Sequence, residues 1–194
     1  MMENTDRITE TGEYKMKGIL KEILNTSIYL LLVLCVAYLI VTYVGQRTQV
    51  SGGSMETTLS DGDHLIVDKI SYRFDEPERF DIIVFPFQYD KETYYIKRII
   101  GLPGETIQID ESGNIYIDGE VLEEDYGREV IQNPGRASEP ILLGEDEYFV
   151  MGDNRNNSSD SRDPQVGSIH RKDIIGRAFI RIWPFDSFGV LKHQ

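Results

Sequence analysis

Three short stretches concentrate the residues that could carry chemistry. The first runs from Ser51 to Leu59, Ser-Gly-Gly-Ser-Met-Glu-Thr-Thr-Leu, and sets Ser54 directly after two glycines. Glycines let the backbone turn sharply and approach a ligand closely, which is how a nucleophile is presented, although a plain Gly-Ser turn reads the same way. A serine hydroxyl attacks a carbonyl only when a neighbour takes its proton, so the chain must also supply a base. His64, His170 and His193 are available, but none stands in a motif, and a surface position is the ordinary reading of each. Lys97 differs. On a strand Tyr95, Lys97 and Ile99 share one face, with Ile96, Arg98 and Ile100 on the other. Flanking apolar groups strip water from the amine and lower its pKa, as a general base requires. At pH 7 a fall from the reference value to about 8.5 raises the neutral fraction from about 0.04% to roughly 3%, and costs about 2.6 kcal/mol. A strand lysine reaching out to solvent satisfies the same pattern. The third stretch, Gly152 to Arg162, is Gly-Asp-Asn-Arg-Asn-Asn-Ser-Ser-Asp-Ser-Arg and holds no apolar residue. A calcium loop fits it poorly, since Ser159 stands where glycine belongs and Gln165 where glutamate belongs. A buried polar network supporting a site fits better.

What positions these residues is legible in outline. Ile23 to Val44 is an uncharged apolar run of 22 residues, long enough as a helix to span roughly 33 Å. A cleavable signal peptide is the rival, but its apolar region is shorter and is followed by a small-residue cleavage site that Val44-Gly45-Gln46 lacks. The domains expected are a cytoplasmic tail at 1–22, a transmembrane anchor at 23–44 and an extracytoplasmic β catalytic domain at 45–194. Lys15, Lys17 and Lys21 precede the anchor and only Arg47 closely follows it, which keeps the tail in the cytoplasm and the domain on the outer face. The ten residues from Val44 to Ser54 reach at most about 35 Å, so Ser54 is tethered near the bilayer.

Beyond the anchor the sequence predicts short strands over His64–Ile70, Asp81–Phe85 (ended by Pro86), Tyr94–Ile100, Thr106–Ile109, Asn114–Ile117, Glu147–Met151 and Ile174–Ile182. Residues 123–140 read as an exposed loop. The fold class is therefore mostly β: an antiparallel sandwich or open barrel carrying one N-terminal transmembrane helix. The 194-residue chain has a formal net charge of −13, and from Gly45 onward 16 Lys and Arg face 28 Asp and Glu. Such a domain repels phosphate backbones, which argues against nucleic acid as a partner. The single cysteine, Cys35, lies in the apolar run and offers neither a disulfide framework nor a nucleophile.

Together the three stretches resemble the type I signal peptidases of bacteria, membrane-anchored Ser/Lys endopeptidases that remove signal peptides from exported preproteins. Ser54-Met55 with Thr58-Leu59 looks like that family's nucleophile box, Tyr95 to Glu105 like its lysine box, and Gly152 to Arg162 like its third; Asp81 to Phe85 is similar to a further family strand. The resemblance implies Ser54 as nucleophile, Lys97 as general base and Ser158 holding the amine. It assigns ion pairs to Arg98 with Asp153 and to Asp160 with Arg162, and an oxyanion site to the Ser54 amide and the backbone of Gly52. It implies small-residue pockets lined by Val50, Met55, Leu59, Tyr95 and Ile96. No cofactor or metal is implied, and the partners are signal-peptide-bearing preproteins and the lipid bilayer. Thr57 stands where the family usually has proline, and the short interval between second and third boxes favours the compact Gram-positive-like form. The alternatives are a catalytically inactive membrane-tethered β domain that binds exported chains and, less well, a Ser/Lys autoproteolytic repressor, which would bring a helix-turn-helix in place of the anchor.

Overall fold

The computed structural model describes residues 3–43 and 45–191, so Val44 and His193 lie outside the described residues. It divides into two units, Met1–Tyr43 and Val44–Gln194.

The first unit is one helix, α1 (Glu3–Tyr43). Within it Gly18–Leu39 is long and apolar enough to cross a membrane. Leucine, isoleucine and tyrosine side chains are exposed all around this part of the helix, as they would be where lipid is the solvent. The segment before Ile23, expected as a tail, is helical from Glu3. Extending a nucleated helix adds one hydrogen bond per residue fixed, so the apolar run carries its polar flank with it.

The second unit has twelve strands among the described residues: β1 (Gly45–Gln49), β2 (His64–Asp68), β3 (Ile82–Phe87), β4 (Asp90–Gly101), β5 (Thr106–Ile109), β6 (Ile115–Ile117), β7 (Glu120–Val121), β8 (Ile141–Leu142), β9 (Glu147–Met151), β10 (Ile169–His170), β11 (Gly176–Trp183) and β12 (Gly189–Val190). Eight form a large sheet in the order β1-β2-β11-β3-β4-β9-β10, with β12 on β11; four form a small sheet in the order β7-β6-β5-β8. Every pairing is antiparallel. The mostly β class holds.

The sheets are joined by a core in which Ile100, Phe149 and Met151 of the large sheet meet Ile107, Ile109 and Ile115 of the small one. At the crossover the backbone must come close, because a Cβ on Gly101 would sit 2.9 Å from Leu143 and 3.1 Å from Phe149. A second cluster packs Ile83, Phe85, Ile99, Tyr148 and Val150. The third packs Val50, Met55 and Leu59 against Leu65, Ile82 and Ala178.

Several strand limits differ from expectation. Residues 45–49 pair in full with 64–68, although Gly-Gln-Arg-Thr-Gln shows no apolar alternation. A polar strand is tolerable at that position because β1 is an edge. Pro86 does not end β3, which continues to Phe87; β11 pairs only with Val84 and Ile83, so the missing N–H of Pro86 leaves no ladder position unfilled on that side. The 123–140 loop is not wholly exposed, since Ile131 and Ala137 are buried in the inter-sheet core.

Candidate active site

The nucleophile segment is pinned from below. Leu59 N–H donates to the Met55 carbonyl at 2.8 Å, giving one helical turn whose apolar side, Met55 and Leu59, is fully buried. Both belong to the core cluster with Val50 and anchor the turn on which Ser54 stands. From above the segment is held by Asn154, whose N–H donates to the Ser54 carbonyl at 3.0 Å and whose Nδ2 donates to the Gly53 carbonyl at 2.9 Å. Gly52 takes the left-handed conformation, φ 89°, that favours glycine.

Lys97 comes from β4, in register with Ile83 of β3. Its Nζ lies 2.8 Å from Ser54 Oγ and donates to the Ile96 carbonyl at 3.0 Å. The residue is 4% exposed. Burial lowers its pKa to about 8, against the pull of the Asp160 and Asp153 carboxylates, which favour the ammonium. The Tyr95 ring, its centroid 5.1 Å from Nζ, forms part of the cover. The sequence expectation of a desolvated strand lysine, as against one reaching solvent, matches this geometry.

The third stretch leaves β9 and turns beneath the pair. Arg98, wholly buried, donates from Nε and Nη2 to Asp153 at 2.8 and 2.6 Å and from Nη1 to the Phe80 carbonyl at 2.9 Å. Thr58 Oγ1 donates to the same carboxylate, which ties the nucleophile turn to the ion pair. Asp160 accepts from Arg162 Nε and Nη2, both at 2.8 Å, and from the Gly152 N–H at 3.1 Å. Gly152 has no room for a side chain: a Cβ there would meet Ser158 Oγ at 2.3 Å and the Ser54 carbonyl at 2.4 Å. Both buried ion pairs are thus those expected, with fork geometry satisfying the carboxylates.

Two expected partners sit otherwise. Among the described residues Ser158 Oγ is buried without a hydrogen-bond partner, and the lysine amine donates to the Ile96 carbonyl. The Gly52 N–H donates to Asp61 Oδ1 at 2.8 Å, which removes it from the place where a second oxyanion donor was expected. Neither described histidine is at the site: His64 lies against Arg47, and His170 against Asp146.

A groove of about 510 Å³ runs past the dyad, lined among others by Val50, Ser54, Tyr94, Tyr95, Ile96 and Lys97. Of the expected pocket residues it thus gathers Val50, Tyr95 and Ile96. A hollow of about 620 Å³ beside Thr106 and Tyr116 on the small sheet contains no member of the pair.

Sequence reasoning missed Asp61, Glu124 and Tyr126. Glu124 forms a two-bonded pair with Arg155 at 2.7 and 2.9 Å, and the Tyr126 ring lies 3.7 Å from the Arg98 guanidinium carbon. All three sit in loops of acidic or mixed composition, and their partners are distant in sequence, so no local pattern marked them.

Residues 23–183 match the family described as signal peptidase, peptidase S26. The chain belongs to the signal peptidase family. It is 41% identical over 155 residues to a probable signal peptidase I-2 of a Synechocystis species, across 77% of this chain and 68% of that one. It is 44% identical over 158 residues to a signal peptidase I of Leptolyngbya laminosa, across 77% and 74%. With signal peptidase I P of Bacillus subtilis subsp. natto it shares 35% over 164 residues, across 81% and 87%. The matched span includes Ser54, Lys97 and the whole Gly152 to Arg162 stretch. Among the described residues the chain carries one N-terminal helix long and apolar enough to cross a membrane, which fits a membrane-anchored peptidase of this family.

Proposed function

We propose that this signal peptidase cleaves signal peptides from exported preproteins with Ser54 as nucleophile and Lys97 as general base. The observation that carries the reading is the 2.8 Å approach of Lys97 Nζ to Ser54 Oγ at a site where the amine is nearly shut off from water.

The preprotein segment lies in the groove as an added strand. β1 and the Tyr94–Lys97 part of β4 each offer an edge, since among the described residues β1 pairs with β2 alone and β9 takes β4 no earlier than Arg98. Val50, Tyr95 and Ile96 receive small side chains on the acyl side. Ser54 Oγ attacks the scissile carbonyl carbon as its proton passes to neutral Lys97. The oxyanion forms beside the Ser54 amide. The Lys97 ammonium then protonates the departing amine, and an acyl ester remains on Ser54. Water gives a proton to the same lysine and attacks the ester; collapse releases the carboxylate and restores the serine hydroxyl. The Arg98–Asp153 and Asp160–Arg162 pairs hold the scaffold, and the Asp carboxylates stabilise the transient ammonium. Ser158 Oγ is buried next to Gly152, in the turn that also carries Asp153.

For the topology we take 1–22 as cytoplasmic tail, 23–44 as the single anchor and 45–194 as the catalytic domain on the outer face, because lysines cluster before the anchor. That arrangement brings the serine to the side where an exported chain presents its cleavage site. Ser54→Ala and Lys97→Ala should each abolish cleavage of a test preprotein by the full chain in micelles, with the circular dichroism spectrum unchanged. Appreciable turnover by Lys97→Ala would remove the lysine from the mechanism.

A further inference from the structure

The chain leaving β7 runs along the polar network that supports the dyad. It keeps a strand's alternation: Leu122, Glu124 and Tyr126 are half-buried, while Glu123 and Asp125 are exposed. Leu122 packs on the inter-sheet core. Glu124 accepts from Arg155 Nη1 and Nη2 at 2.7 and 2.9 Å, and the Arg155 and Glu124 side chains are only 2% and 9% exposed. The Tyr126 ring centroid lies 3.7 Å from the Arg98 guanidinium carbon and 5.1 Å from the ring of Phe80, whose carbonyl accepts from Arg98. Two residues on, the Arg128 N–H donates to the Asp153 carbonyl at 2.9 Å, and its side chain pairs with Glu56 at 3.0 Å. One short segment thus reaches the nucleophile stretch, the lysine strand and the third stretch. The Arg128–Glu56 pair is exposed and contributes little.

The buried contacts carry the consequence. Arg155 Nε donates to the Gly152 carbonyl at 3.1 Å, and Gly152 lies so close to the Ser54 carbonyl that no Cβ fits between them. A hollow of about 390 Å³ opens beside Arg155, lined also by Ser158 and Arg162. A buried guanidinium that loses its carboxylate is driven toward water, and this hollow gives it the room. Glu124 opposes that movement, as does the backbone of Gly127, where a Cβ would lie 3.3 Å from Arg155 Cζ. Tyr126 acts likewise on Arg98, because an aromatic ring over a cation attracts it and keeps water off. Arg98 in turn fixes Asp153 and, through that carboxylate, Thr58 of the nucleophile turn. We infer that residues 122–128 form a positioning strap, in which Glu124 holds Arg155 and Tyr126 holds Arg98 so that Ser54 and Lys97 stay within reacting distance. The inference rests on the dyad proposed above. It requires an effect on rate without an effect on binding, since among the described residues the lining of the catalytic groove includes none of Arg155, Arg98, Asp153 and Glu56.

The test uses the full-length chain in detergent micelles and a short peptide with alanines at the first and third positions before the cleaved bond. The folded fraction of each variant is read from the fluorescence of Trp183, the one tryptophan, against a urea titration, so that kcat is expressed per folded protein. Glu124→Ala and Tyr126→Ala should each lower that kcat about 10- to 100-fold, the effect of an ångström-scale misplacement, with KM within about twofold of the parent. Glu124→Gln keeps the shape of the side chain and loses its charge; it should cost about fivefold and carries the test where an alanine variant does not fold. Tyr126→Phe, which retains the ring over Arg98, should keep more of kcat than Tyr126→Ala. In an Arg155→Ala background Glu124→Ala should change kcat by less than about twofold, because a residue that acts through a partner has nothing to hold once the partner is gone. A loss accounted for entirely by the unfolded fraction overturns the strap and leaves the dyad intact. A rise in KM that matches the loss, or full additivity of Glu124→Ala with Arg155→Ala, does the same. Turnover by Lys97→Ala at the parent rate removes the dyad, and the strap with it.

Discussion

Replacing Lys97 with methionine should make the protein more stable and inactive at once. The folded chain depresses the pKa of this amine from 10.5 to about 8, chiefly by burial. At 1.36 kcal/mol for each tenfold change, keeping an ammonium there costs about 3 kcal/mol wherever the group is protonated in both states. The sign follows from proton counts. Between pH 8 and 10.5 the unfolded chain binds more protons at this position than the folded one, so stability rises with pH across that window. Below pH 8 the full cost is present, and above 10.5 it is absent. Methionine keeps most of the buried stem and removes the charge, but it forfeits the contacts to Ser54 Oγ and the Ile96 carbonyl, about 1 kcal/mol in net terms. The variant should therefore gain about 2 kcal/mol at pH 7, and the gain should vanish as the pH passes 10. Trp183 is the one tryptophan of the chain and lies at the end of β11, so its fluorescence during urea unfolding reports the β unit alone. A Lys97→Met protein no more stable than the parent at pH 7, or a difference constant from pH 6 to 11, would refute a desolvated amine.

The same pKa fixes the activity profile: log kcat/KM should climb with unit slope up to about pH 8 and then level as Lys97 becomes neutral, measured on a short peptide with alanines at the cleavage site. A plateau already reached at pH 6 would contradict it. Gly152→Ala should eliminate turnover, since the new methyl collides with the Ser54 carbonyl and Ser158 Oγ; a crystal structure should show the nucleophile turn displaced. Asp153→Ala leaves the Arg98 guanidinium buried without its carboxylate and releases Thr58, so unfolding free energy should drop by about 3–5 kcal/mol, read from the same urea titration.

Much of the fold was readable because strands obey a period of two and turns need particular residues. His64, Ile82, Thr106 and Glu147 begin strands within a residue of where alternation places them. β1 was invisible for a physical reason: an edge strand facing a groove needs no alternating apolar face, and Gly-Gln-Arg-Thr-Gln has none. Pro86 misled in the opposite direction, since a proline ends a strand only where its N–H is required.

At the site, residue type and local neighbours marked Ser54 and Lys97 as candidates, and the resemblance to the family joined them as a pair. Ser54 follows two glycines and Lys97 alternates with tyrosine and isoleucine, patterns that one segment can carry by itself. The pairing of Asp160 with Arg162 was expected only through the resemblance to the family, and the folded chain makes that pair. Only the folded chain could decide where backbone donors and hydroxyls point. Asp61 takes the Gly52 amide, Ser158 Oγ is buried with no hydrogen-bond partner among the described residues, and Met55 and Leu59 sink into the core beneath the serine. Each of these outcomes depends on angles and separations of an ångström or less between segments brought together by packing. Composition and periodicity specify which face a side chain takes, and the third dimension specifies what it touches there.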